Sequence, residues 1–254
     1  MIEIVSLFKQ LSTSDFRIHK VVQEYLNIKK LCLPMATLIR KEDREYLKGE
    51  FDKYLKNDVD LVVFTSNDEN CRYCKETVQL ATEVSEINPK IHLKVYNFDE
   101  DKDQVKAYGV EKYPATIVSK AGVEDGRIVY YGLPSGYEFG SLIEDLKNVS
   151  VGDADVSSKA AELISKIDKP ITIKVYVTPT CPYCPRAVGT AHKFALMNPN
   201  IKGEMIEALE FENEAEEVGV SSVPHIVINN DVTFIGAYPD DQFAEYVMEA
   251  YDHQ

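Results

Sequence analysis

Two stretches of the chain carry the same succession of apolar runs and charged, helix-forming segments. Val- and Ile-rich runs at 61–64 and 171–177 predict buried strands bounded by turns. Each is followed by helix formers without an internal proline, at 75–84 and 186–197, which predict helices. Second strands are expected near 92–98 and 204–209, then short acidic helices stopping at Gly109 and Gly219, since glycine suits a left-handed helix end. Strands at 114–118 and 224–228, hairpin partners at 127–131 and 232–235 and a closing helix complete each stretch. Further helices, 41–54 and 157–167, precede the first strands. The order β-α-β-α-β-β-α, met twice, predicts an α/β fold of two tandem units, each a mixed four-stranded sheet flanked by helices.

A shift of 110 residues carries Cys71 to Cys181, Cys74 to Cys184, Ile91 to Ile201, Gly109 to Gly219, Val110 to Val220 and Pro114 to Pro224. Such agreement needs intervening elements of equal total length, so the chain contains a tandem duplication. The join is expected near 149–156, where Ser, Gly and Asp cluster. There Asn148-Val149-Ser150 matches a glycosylation sequon but reads as linker composition. Residues 1–34 have no counterpart in the repeat, which gives an appendage (1–34) and two units, 35–150 and 151–254.

With 44% hydrophobic and 28% charged residues over 254 positions, the composition is that of a globular protein. No run approaches the roughly 18 to 20 apolar residues that cross a bilayer, and charge interrupts the first apolar stretch before a secretory core forms. A cytoplasmic address is expected. The net charge of −14 repels phosphate backbones and anionic lipid, so neither nucleic acid nor membrane is an expected partner.

Four of the five cysteines fall as Cys71-Arg72-Tyr73-Cys74 and Cys181-Pro182-Tyr183-Cys184. This spacing serves a redox dithiol or half of a zinc site. In the second case the two pairs would form one Cys₄ centre in a non-enzymatic binding protein. Cys32 has no mate and reads as a small buried hydrophobe. Each motif lies where a strand hands over to a helix, so backbone N–H groups and the helix dipole favour a thiolate on the first cysteine. Lowering a thiol pKa from about 8.5 to about 7 raises the thiolate fraction roughly 16-fold near pH 7, whereas intrinsic nucleophilicity falls roughly fivefold. The net gain is about threefold, and departure from a mixed disulfide improves too. Three residues on, Cys74 or Cys184 can resolve that intermediate. Site two is expected to be the more reactive. Pro182 is read there as the first helical residue, stiffening the entry, whereas Asp68 and Glu69 oppose a thiolate at Cys71.

Strand, C-x-x-C, helix, then Gly109-Val110 and Pro114 resemble the thioredoxin and glutaredoxin fold, and Cys181-Pro182-Tyr183-Cys184 matches the glutaredoxin tetrapeptide. From about Met35 onward the pair of units is similar to the protein disulfide oxidoreductases of archaea and thermophilic bacteria. Residues 177–185, Ala191-His192-Lys193-Phe194-Ala195 and Tyr131-Gly132-Leu133-Pro134 are especially close. The resemblance implies dithiol–disulfide exchange on protein substrates, with Cys71, Cys74, Cys181 and Cys184 catalytic and no bound cofactor beyond the redox-active cysteine pairs. It implies cis bonds at Tyr113-Pro114 and Val223-Pro224, whose backbone would bind an extended substrate strand. It also implies a thioredoxin reductase-like flavoprotein partner, because this chain has no Gly-rich dinucleotide fingerprint. A dedicated electron donor to a peroxidase is the related alternative.

The chain departs from thioredoxin in having no Trp and in carrying Thr65 and Val175, not an acid, six residues before the cysteines. Glu207, among apolar neighbours, is the candidate acid or base, set against a solvated strand end. His225 reads as a partly exposed strand residue, Tyr73 and Tyr183 as apolar contacts for substrate, and the runs 99–103 and 210–217 as solvated helix starts.

Overall fold

The computed structural model describes residues 37–254, and residues 38–254 form one compact unit. The expectations for residues 1–34, for Cys32 and for Met35 lie outside the described residues. In chain order the elements are α1 (Lys41–Tyr54), β1 (Val59–Thr65), α2 (Cys74–Ser85), β2 (Ile91–Asn97), α3 (Lys102–Tyr108), β3 (Ala115–Lys120), β4 (Ile128–Tyr131), α4 (Glu138–Val151) and α5 (Ser158–Ile164). Then follow β5 (Ile171–Val177), α6 (Cys184–Met197), β6 (Ile201–Glu207), α7 (Glu212–Val218), β7 (His225–Ile228), β8 (Val232–Ile235) and α8 (Asp240–Asp252). Each repeat has the expected order and four mixed strands.

The repeats do not make separate sheets. One eight-stranded sheet runs β2-β1-β3-β4-β6-β5-β7-β8, joined where β4 pairs in parallel with β6 from Ile128 opposite Gly203 to Tyr131 opposite Ile206. This join explains why Ile128, Val129, Tyr130 and Tyr131 are all buried, whereas the equivalent edge strand β8 alternates buried and exposed positions. Each such large apolar side chain withdrawn from water contributes roughly 1.5–3 kcal/mol, so the contact is a substantial part of both repeats' cores. Helices α1, α2, α4, α5, α6 and α8 pack over one face, and α3 and α7 over the other.

Polar groups reinforce the join on both faces. Arg127 Nη1 donates to the carbonyls of Ala195 and Asn198 at 2.5 and 3.1 Å. Between α4 and α6, Asp145 accepts from the Tyr130 hydroxyl and meets His192 Nδ1 at 2.6 Å. On the other face Lys112 pairs with Glu214, and Lys202 Nζ donates to the Gly109 carbonyl at 2.9 Å.

The glycines that end α3 and α7 adopt φ +60 and +78, and the next residues, Val110 and Val220, donate back to Val105 and Ala215. This closure satisfies helix-end carbonyls and accounts for the repeated Gly-Val.

Several boundaries differ from the sequence reading. The helix α4 continues through Val151, and Ser150 is buried, its hydroxyl accepting from the N–H groups of Lys56 and Asn57 at 2.9 Å. The sequon is thus helical, and the connection shrinks to 152–157. Strand β6 begins at Ile201 and stops at Glu207, with Ala208 to Glu210 turning toward α7, because its register is set by Ile171 opposite Ile201.

Candidate active sites

Strand directions place the two motifs. Strand β4 runs antiparallel to β3 and β3 antiparallel to β1, so β1 and β4 are codirectional; the parallel β4–β6 and β6–β5 pairs extend this to β5. Both cysteine motifs therefore leave the same edge of the sheet, and α2 and α6 pack over the same face. Four strand spacings separate β1 from β5, about 19 Å at about 4.8 Å each.

Each pair closes within itself, Cys71 with Cys74 and Cys181 with Cys184, at a Cα separation of 5.6 Å in both. This leaves no shared four-sulfur centre, and no group of three or more His, Cys, Asp or Glu suited to a metal occurs among the described residues. Helices α2 and α6 begin at the second cysteine, not beside the first. Pro182 therefore lies in the turn before α6, and it is Pro185 that occupies the helix start, which corrects the expected place of Pro182. The electrostatic argument survives in another form: the N–H of Cys184, the first helical residue, points at Cys181 Sγ at 3.2 Å. In site one the N–H of Ser66 donates instead to Cys74 Sγ, at 3.3 Å.

The bonds Tyr113–Pro114 and Val223–Pro224 are cis. Cys181 Sγ lies 3.7 Å from the Val223 carbonyl, and Cys71, Tyr113 and Pro114 line one groove, so each proline segment faces its cysteines. The Tyr113 hydroxyl donates to Asp68 Oδ2 at 2.9 Å, while Asp68 Oδ1 accepts from the Asn70 N–H. The Asn70 N–H, then the Tyr113 hydroxyl, hold the Asp68 carboxyl below its ordinary pKa, so it stays charged beside Cys71. Tyr183 is 70% exposed at the mouth of site two.

Glu207 is not a solvated strand end. Only 4% exposed, it is pushed up by burial, against the N–H groups of Leu209 and Glu210 and the charge of Arg72. Arg72 is in the first motif, so this carboxylate of the second repeat sits on the side of site one. Glu210, placed by sequence in a solvated helix start, is largely withdrawn from water. Burial raises it to about 7, opposed by the Leu133 N–H. His225 is buried as well, and desolvation lowers its pKa, so it is neutral near pH 7 and does not tune site two by charge.

The reverse contact occurs at site two. Tyr137 N–H, at the start of α4 in the first repeat, donates to the Pro179 carbonyl at 3.1 Å, two residues before Cys181. At Gly136, φ is +60 and a Cβ would lie 2.1 Å from that oxygen. Each site is thus buttressed by the other repeat, which the sequence reading missed. One signal was present: a shift of 110 puts Leu209 and Phe211 where the first repeat has Asp99 and Asp101.

The family model for the thioredoxin domain matches residues 60–144 and 171–249. The chain belongs to the thioredoxin-domain family. This thioredoxin-domain protein is 30% identical to a solved protein disulfide oxidoreductase from Aeropyrum pernix, over 85% of this chain and 95% of that one, with a TM-score of 0.78. The NTD_N/C domain of alkylhydroperoxide reductase AhpF from Enterococcus faecalis is 27% identical over 82% of this chain and 99% of that one, with a TM-score of 0.74. Among curated proteins, an NADH dehydrogenase of Bacillus subtilis is 26% identical over 73% of this chain and 34% of its own length. The chain spans about a third of the length of the curated relatives it matches. Among the described residues no helix is long and apolar enough to cross a membrane.

Proposed function

We propose that this chain is a protein dithiol–disulfide oxidoreductase with two working sites, built from units 35–150 and 151–254 and acting in the cytoplasm. The carrying observation is that each cysteine pair closes at 5.6 Å beside a cis-proline segment. In reduction, the thiolate of Cys71 or Cys181 attacks one sulfur of a client disulfide and releases the other as a thiol. Cys74 or Cys184 then attacks the mixed disulfide, frees the second client thiol and leaves an enzyme disulfide. Two electrons pass to the client, and the reverse sequence oxidises it.

An extended client segment is proposed to pair with the backbone at Tyr113-Pro114 and Val223-Pro224, a reading supported by the cis bonds facing the cysteines. Glu207, buried and raised in pKa, is the proposed proton acceptor on the side of site one. Regeneration needs an external two-electron donor, for which a thioredoxin reductase-like flavoprotein is proposed, since the chain has no dinucleotide fingerprint. The match to AhpF domains favours one second reading, delivery of those electrons to a peroxidase.

Insulin-disulfide reduction tests the proposal. Replacing all four motif cysteines with serine should abolish turnover, and either single-site protein should retain some. Undiminished turnover without the four cysteines refutes it.

A further inference from the structure

Site one opens into a groove of about 700 Å³ whose two walls come from different repeats. The first repeat supplies Asp68, Cys71, Arg72 and the Tyr113-Pro114 segment. The second supplies the β6–α7 connection, with Leu209 (55% exposed), Glu210, Phe211 and Glu212. Because the cysteine and the cis-proline backbone line this same groove, a client reaching Cys71 must lie along both walls.

At pH 8, above the value of about 7 to which burial raises Glu210, the charges along it are one-sided. Asp68 is fixed on one rim by the Tyr113 hydroxyl and the Asn70 N–H. Glu210 is fixed opposite by the Leu133 N–H at 2.7 Å, and Glu212 opens α7 beside it. Glu214 also lines the groove but is matched by Lys112, and among the described residues Arg72 is the one base in the lining. Site two lacks this wall: apart from Arg186 just beyond them, segments 178–185 and 221–224 hold no charged residue, and among the described residues β8 is the last strand of the sheet on that side.

Resting on the reading of site one as a disulfide-exchange site, we infer that its two-repeat groove selects client segments with Lys or Arg beside the reacting cysteine, and disfavours anionic disulfides such as oxidised glutathione. Asp68, Glu210 and Glu212 set this preference, and Leu209 and Phe211 contact the apolar part of the client. Site two does not share it. Two sites with one chemistry would then serve clients of different charge.

The test uses the full chain in two forms, Cys181→Ser/Cys184→Ser with only site one and Cys71→Ser/Cys74→Ser with only site two. Each is assayed at pH 8 on two disulfide-closed peptides identical except for three Lys or three Glu next to a cysteine. At about 10 mM ionic strength, where the Debye length is about 30 Å, site one should prefer the Lys peptide in kcat/KM by about tenfold or more. That ratio should fall toward about twofold near 1 M salt. Site two, carrying the same −14 net charge, should show a clearly smaller ratio. Adding Glu210→Gln and Glu212→Gln should cut the site-one ratio about threefold or more. Equal ratios at the two sites, or a ratio unmoved by the glutamine pair, overturns the inference while leaving exchange at site one standing. Failure of site one to reduce either peptide overturns both.

Discussion

The backbone N–H of Leu133, in the first repeat, donates to Glu210 of the second at 2.7 Å, beside the groove of Cys71. Its counterpart is the Tyr137 N–H on Pro179 next to Cys181. Through these two contacts and the β4–β6 pairing, each redox site is completed by the repeat that does not carry its cysteines.

Two glycines isolate these contacts. A Cβ at Gly132, where φ is +95, would lie 2.7 Å from Glu207 Cβ and 2.9 Å from Glu210 Oε1, whereas one at Gly136 would strike the Pro179 carbonyl. Gly132→Ala should lose turnover chiefly at site one and Gly136→Ala chiefly at site two, each with a stability loss of about 1–3 kcal/mol. Assays in single-site backgrounds check this, and equal losses at both sites contradict it.

Separating the repeats should cost more than one site. Expressed alone, 37–150 exposes the buried β4 and 151–254 exposes β6, two unpaired strand edges with apolar side chains on both faces. Neither fragment should give a cooperative urea transition as a soluble monomer, while coexpression should restore the complex. Two independently stable, fully active fragments would refute this dependence.

Burial raises Glu138 and Glu210 to about 7 from an ordinary 4.5. A carboxyl whose folded pKa lies above its unfolded value contributes most to stability below about 4.5, and that contribution is lost as pH rises through about 7. Glu138→Gln should therefore gain stability relative to the parent between pH 5 and pH 8. Urea melts at both pH values measure the difference, and a constant difference contradicts the raised pKa.

Cys181 should have the lower thiol pKa, because the Cys184 N–H points at its sulfur whereas charged Asp68 opposes a thiolate at Cys71. Alkylation rate against pH, in Cys74→Ser/Cys184→Ser protein, ranks the two. A lower value at Cys71 reverses the order.

Much of the fold was legible because the repeat fixed element order twice, and period and glycine placement agreed with it. The join was harder to read. Ile128-Val129-Tyr130-Tyr131 is apolar on both faces where Val232-Thr233-Phe234-Ile235 alternates, a contrast that marks an interior strand, but pairing across repeats is not encoded locally. The apolar neighbours of Glu207 already marked it as a candidate acid or base, whereas Glu210 looked ordinary for the same reason as the join: its burial depends on Gly132 and Leu133 of the other repeat. Pro182 was misplaced because a turn and a first helical residue suit proline equally.

The most direct test of two-site dithiol exchange is to trap its intermediate. Cys74→Ser/Cys184→Ser protein, reduced and mixed with a disulfide-bonded client, should form mixed disulfides that peptide mass mapping assigns to Cys71 and Cys181. Thiols at both positions that stay unmodified while the client is consumed, or adducts confined to one site, would contradict the account.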